Sequence, residues 1–153
     1  MNAEDLALCS KFMKQNNIDV LNTRQWKDAN GEYYITIGSI EQDETTGEMD
    51  GKKFTVKRGE FRKHLEEMNE YLTEALKYVA NETQERMLQK YIESYKTGSI
   101  AAHKDSQREW IRDKGPVVET NMGWIETYID PENVRAYYEG WVAIVDKEKS
   151  KKF

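Results

Sequence analysis

The stretch WIRDKGPVVETNMGWIETYIDPENVRAYYEGWVAIV, residues 110–145, constrains the fold most because the rhythm of the chain changes there. Upstream, apolar residues mostly recur at steps of three and four; here they recur at every second residue, the spacing of a strand. The stretch holds three of the four Trp and both Pro. Lys114-Gly115-Pro116 ends the helical pattern before it, since Pro lacks the amide donor of a helix interior and drives its predecessor out of the helical region. A strand therefore starts near Val117, Asp130-Pro131-Glu132-Asn133 supplies a turn, and Tyr137 to Val145 returns antiparallel to the first strand.

Alternation places Val118, Thr120, Met122, Trp124, Glu126 and Tyr128 on one strand face and Val117, Glu119, Asn121, Gly123, Ile125 and Thr127 on the other. The first face is the greasier and is expected to pack on a core. The second then presents Glu119 and Asn121 beside Gly123, a position with no side chain to obstruct an approaching backbone. These three are the candidate site residues of a peptide-facing surface. Taken by itself, a strand glutamate such as Glu119 is more commonly just exposed.

With 153 residues the chain fits one domain, residues 1–153, and can bury about 70% of its unfolded surface. Its 23 Lys and Arg against 28 Asp and Glu give a net charge of -5 with the signs interspersed, and no basic stripe points to nucleic acid. The basic tail Lys147, Lys149, Lys151, Lys152 reads as a solvated helix face. The one cysteine, Cys9, can form no internal disulfide and lies among Leu6, Leu8, Phe12 and Met13, as a packed thiol does. No signal-peptide core opens the chain and no apolar run approaches the roughly 18 residues of a membrane span, so a soluble, cytoplasmic protein is expected.

In order, Ala3 to Gln15 reads as an amphipathic helix with Leu6, Cys9, Phe12 and Met13 inward. Ile18 to Asn30 reads as a connection with Trp26 buried, and Asn30-Gly31 as a tight turn before a strand at Tyr33 to Ile40. Glu41 to Gly51 reads as an exposed acidic loop whose spacing does not suit calcium, and Phe54 to Val56 as a short strand. Gly59 precedes a helix with the stripe Phe61, Leu65, Met68, Leu72, Ala75, Leu76, Val79. Asn81 with Gln84 opens a second helix that Gly98 ends, and Ser99 caps a third. The predicted class is α+β: a small twisted antiparallel sheet or partial barrel with three to four helices against it.

Catalytic equipment is scarce. There are two histidines, His64 and His103; His64-Leu65-Glu66-Glu67-Met68 starts like a helical zinc motif and then fails. No phosphate loop or serine elbow occurs, and Glu119 and Glu126 fall on opposite strand faces, so no catalytic or metal-binding residue is assigned in this chain.

The run GSIAAHKDSQREWIRDKGPVVETNMGWIETYIDPENVRAYYEGWVAIV, with Asn22-Thr23-Arg24, GEYYITIGSI, FTVKRGEF and QKYIESYKTGSI upstream in the same order, resembles the dipeptidyl peptidase III family of zinc exopeptidases over roughly residues 19–153. The resemblance implies a barrel-side lobe that meets a helical lobe, which carries zinc in an HExxGH motif, across a peptide-binding cleft. The zinc motif lies beyond this sequence, so this chain by itself is expected to bind no zinc and to be inactive. Glu119 falls at the glutamate that holds the substrate's α-amino group, Asn121 where a Tyr is common, and Ile129 where an Arg is common. The closing DKEKSKKF reads as the first turns of an unfinished helix, which points to a piece of a longer polypeptide. The expected partners are then an oligopeptide substrate, the zinc-binding lobe, and a second copy through exposed strand edges. A free-standing peptide-binding module is the alternative, and a purely structural domain is favoured if the protein's own helices cover the Glu119 face.

Overall fold

A computed structural model describes residues 1–152 and gives two sheets and five helices, an α+β architecture. Helix α1, Ala3–Gln15, forms where expected, and its start is fixed by a reciprocal cap. The Asn2 side chain accepts from the Asp5 amide at 2.9 Å while the Asp5 carboxylate accepts from the Asn2 amide at 3.0 Å.

The first sheet contains β1 (Thr23–Lys27), β2 (Tyr33–Gly38), β3 (Glu44–Met49) and β4 (Lys52–Glu60) in the order β1-β2-β4-β3. It departs from the expectation in three ways. Residues 23–27, read as connection, form an edge strand that the Asn30-Gly31 turn joins to β2, and Trp26 is 42% exposed, stacked on Tyr34 rather than buried. Most of the predicted acidic loop is β3. Asp50 and Gly51 both take positive φ, 50° and 70°, which is the two-residue turn that matches strand twist and closes the β3–β4 hairpin. Because that hairpin folds outward, β4 reaches β2 in parallel, so the sheet is mixed rather than wholly antiparallel. No closed barrel forms among the described residues.

Helix α1 lies on this sheet and buries Cys9, Phe12 and Met13 against Tyr33, Ile35, Ile37, Phe54 and Val56. Phe12 stacks on Phe54 with ring centres 4.0 Å apart, and full burial of one such ring stabilises by about 2–3 kcal/mol.

A second core is helical. It uses α2 (Arg62–Ala75), a 3-10 turn at Leu76–Tyr78, α3 (Glu82–Thr97) and α4 (Ile100–Arg112). The predicted stripe on α2 is buried at Leu65 and Leu72, while Phe61 stays outside under the Arg24 guanidinium. Asn81 caps α3 by accepting from the Gln84 amide, and the Gln84 side chain reaches back to Ala80, one residue short of the reciprocal position. Gly98, at φ 77°, ends α3 in the left-handed cap, and Ser99 accepts from the Ala102 amide to open α4. Leu65, Leu72, Met87, Leu88, Tyr91 and Tyr95 converge on Trp124. The cores are joined where Ile40 and Glu41 amides bond Tyr95 and Lys96 carbonyls, and where Gly38, lacking a side chain, lets the Trp124 ring settle over β2.

Candidate functional site

The second sheet is a two-stranded antiparallel ribbon, β5 (Val118–Trp124) and β6 (Tyr138–Ile144), with Glu119 opposite Ala143, Asn121 opposite Trp141 and Gly123 opposite Glu139. Cross-strand partners share a face, so Glu119, Asn121 and Gly123 stand beside a second row of Ala143, Trp141 and Glu139. The sequence expectation was that this polar face lies open and the other packs on the core. As expected, Trp124 and Thr120 of the greasier face are buried, although Val118 is 51% exposed; the β5 row of the polar face, expected to be open, is covered by α4.

The cover is a matched set of side chains. His103, Gln107 and Trp110, at steps of four and three, lie on one face of α4 and span about 10 Å. They meet Gly123, Asn121 and Glu119, whose alternate positions on β5 span about 13 Å. The Trp110 indole Nε1–H donates to Glu119 Oε1 at 2.6 Å, and the Thr120 amide donates to the same oxygen at 3.1 Å. Asn121 Nδ2 donates to Gln107 Oε1 at 3.1 Å, and Gln107 Nε2 passes the chain on to the Tyr91 hydroxyl at 2.9 Å. Gly123 lies against the His103 imidazole so closely that a Cβ there would sit 2.4 Å from Cε1. The three sequence-derived site residues are therefore brought together, each covered on its side-chain face by a different side chain of α4, the arrangement that favours a structural role for this row.

The β6 row stays open beyond α4. Trp141 is 49% exposed and Glu139 half-buried. Just past the end of β5, the nearby Glu126 carboxylate raises the Tyr128 phenol's pKa, and the Tyr137 amide bonds the Glu126 carbonyl at 3.0 Å. Burial and then the charges of Glu139 and Glu126 raise Tyr137 as well, so two carboxylates and two phenols share this end of the ribbon. Strand alternation puts Glu126 on the greasier face, opposite Glu119. The signal that finds it is the turn: once Asp130 folds the loop back, residue 126 leaves the strand alternation.

That turn is rigidly built. Asp130 Oδ2 accepts from the amides of Glu132, Val134 and Arg135 at 3.2, 3.0 and 3.2 Å, and the buried Arg135 guanidinium bonds Asp130 at 3.2 Å and Glu132 at 2.6 Å. Burial opposes ionisation of Asp130, but the amides and then the guanidinium outweigh it and hold the carboxyl below its ordinary range.

Neither histidine suits a metal. His64 is exposed on α2 and His103 is boxed beneath Gly123, and among the described residues no three His, Cys, Asp or Glu side chains approach closely enough to hold an ion. The zinc implied by the resemblance does not fit this segment, so no chemical step is assigned to it here. No helix of the described residues is long and apolar enough to cross a membrane.

Comparison with known proteins gives a consistent result. The profile of peptidase family M49 matches residues 1–153. The chain is 45% identical to dipeptidyl peptidase 3 of Dictyostelium discoideum over 145 residues, covering 94% of this chain and 21% of that protein. It is 39% identical to dipeptidyl peptidase 3 of Homo sapiens over 165 residues, 98% of this chain and 22% of that one. The dipeptidyl-peptidase III structure from Corallococcus sp. strain EGB superposes with a TM-score of 0.67 at 18% identity, over 100% of this chain and 25% of that one, and so supports the fold. The chain spans between a fifth and a quarter of the length of these proteins.

Proposed function

The chain belongs to peptidase family M49, and on that premise we propose that it is the substrate-cleft portion of a zinc-dependent dipeptidyl peptidase that releases dipeptides from the N-terminus of oligopeptides. The observation that carries this reading is the open β6 half of the ribbon's polar face, where half-buried Glu139 stands next to exposed Trp141 and the Tyr137 amide ties in the Glu126 backbone at the ribbon's end. Carboxylates in a partly desolvated groove pair with a peptide's α-ammonium, and a fixed carboxylate measures distance from the free N-terminus. Glu119 contributes from the same face: its Oε1 is committed to Trp110 and Thr120, and its second oxygen is available to an ammonium. Asn121 and Gly123 lie beneath α4, Asn121 bonded to Gln107 and Gly123 under the His103 ring, and support the ribbon from the covered side. Zinc belongs to the remainder of the polypeptide, as does the catalytic step, and a reducing cytoplasm suits the single unpaired Cys9.

The test compares this 153-residue chain with the polypeptide extended through an HExxGH segment. The isolated chain is expected to bind no stoichiometric zinc and to leave dipeptidyl-arylamides intact, while the extended protein cleaves them; hydrolysis by the isolated chain overturns the proposal.

A second reading, a free-standing peptide-binding module, draws on the outer edge of β6. The Val145 amide bonds the Val117 carbonyl, so alternation turns the amides of Ile144, Val142 and Gly140 outward, a template for an added strand. Calorimetric titration of the isolated chain with a free-amine oligopeptide separates the two. Affinity that Glu119→Ala and Glu126→Ala both leave unchanged counts against either peptide-binding version.

A further inference from the structure

Of the three helix side chains that seat β5, Trp110 and Gln107 have hydrogen-bonding partners on the strand, and His103 has only shape. Its side chain is buried, with 6% of the residue's surface exposed, and its ring fills the space a side chain at position 123 would need. Its Nδ1 is buried without a hydrogen-bond partner. Behind it stands the Tyr91 ring of α3, tilted by 47° at 6.4 Å. The charged groups around it are Lys104 on α4 and Asp19 in the α1–β1 connection, which are paired to each other at 3.3 Å. A neutral imidazole suits such a pocket; an imidazolium has two donors and finds no acceptor for Nδ1.

We propose that His103 is a positioning residue for β5: its neutral ring seats Gly123 and fixes the row Glu119-Asn121-Gly123, and its protonation lifts that row from α4. The inference deepens the peptide-cleft reading by giving the ribbon a proton-sensitive support on its covered side, and the contact on which it rests exists whatever the ribbon binds. Burial, then the charge of Lys104, lowers the His103 pKa against the weaker opposite pull of Asp19, so the lift occurs on the acid side of an ordinary imidazole. Gly123 at φ 148° occupies backbone space that glycine alone adopts readily, so the strand is shaped to this ring rather than merely near it.

The test is hydrogen exchange followed by NMR on the 153-residue chain between about pH 7.5 and about pH 5, rates being corrected for the intrinsic pH effect. Amides of residues 119–124 are expected to lose protection by about tenfold or more as the His103 ring titrates, while Ile35 and Val56 in the first sheet hold theirs. In His103→Gln, which keeps bulk and polarity without titrating, β5 protection should become independent of pH over this range. If that variant does not fold, the wild-type comparison decides alone: β5 protection unchanged while His103 titrates, or lost together with the first sheet, overturns the proposal. So does an unaltered β5 transition in His103→Gln. Absence of peptide affinity or of peptidase activity would refute the cleft reading and leave this result standing.

Discussion

Replacing Gly123 by Ala tests the seat of β5 most sharply. Two costs add. At φ 148° the backbone is in a region that side-chain-bearing residues enter at about 1–3 kcal/mol. The new methyl would also start 2.4 Å from His103 Cε1 and 2.8 Å from Nδ1, and the ring is backed by Tyr91 and cannot withdraw, which adds an overpacking cost of about 1–3 kcal/mol. Gly123→Ala should therefore destabilise by about 2–6 kcal/mol, read as a fall in the urea midpoint at constant slope. The cycle with His103→Ala isolates the second part. Removing the ring leaves the φ cost and abolishes the clash, so the double variant should be more stable than the sum of the single effects predicts by about 1–3 kcal/mol. Additive single effects, or a Gly123→Ala cost below about 1 kcal/mol, would refute the packing account.

Other consequences are checkable by similar means. Hydrogen bonds from Lys27, Tyr33 and the Asn2 amide hold the Asp5 carboxyl well below the usual carboxylate range, so the stability it contributes is present above the unfolded-state value of about 4 and is lost as pH falls below that. Asp5→Asn should lower stability at neutral pH and flatten the acid limb of a stability–pH profile; an unchanged limb contradicts the assignment. Trp110→Phe keeps the ring but removes the donor to Glu119, and the loss, about 1–2 kcal/mol in urea denaturation, should be absent when Glu119 is already Met, which has no oxygen to accept it. Burial pushes the Cys9 thiol up to about 11, so native protein should react with a disulfide reagent far more slowly than unfolded protein; equal rates would show the thiol is open. Self-association through the outward edge of β6, where Val142 is 65% and Ile144 82% exposed, should fall in light scattering when Val142 is replaced by Lys, and a clean monomer in the wild type at high concentration removes that expectation.

The helices were legible because their signals are local. Asn81, Gly98 and Ser99 do in the structure what their types do at helix ends anywhere, and Cys9, Phe12 and Met13 of the α1 stripe are buried while Leu6 is half-buried. The first sheet was less so. β3 is polar and mostly exposed, so it has no apolar alternation to betray it, and only the Asp50-Gly51 turn marks the hairpin. β1 is an edge strand whose Trp26 stacks on a neighbour at the surface, so burial could not be inferred from residue type. At the ribbon, alternation divided β5 correctly into two rows. What lies against each row depends on where α4 docks, which is a long-range outcome that no pattern within β5 encodes. Gly123 was singled out for its missing side chain, but the neighbour using that space is His103 of the same chain.

The most direct measurement of the central claim is kcat/KM of the extended peptidase on an oligopeptide with a free N-terminus and on its N-acetylated form, for wild type, Glu126→Gln and Glu119→Gln. Acetylation and at least one of the two substitutions are each expected to cost about 10- to 100-fold, the worth of a charged hydrogen bond, and the substitution to matter little once the amine is acetylated. Equal processing of free and acetylated peptides, or undiminished activity in both variants, would contradict it.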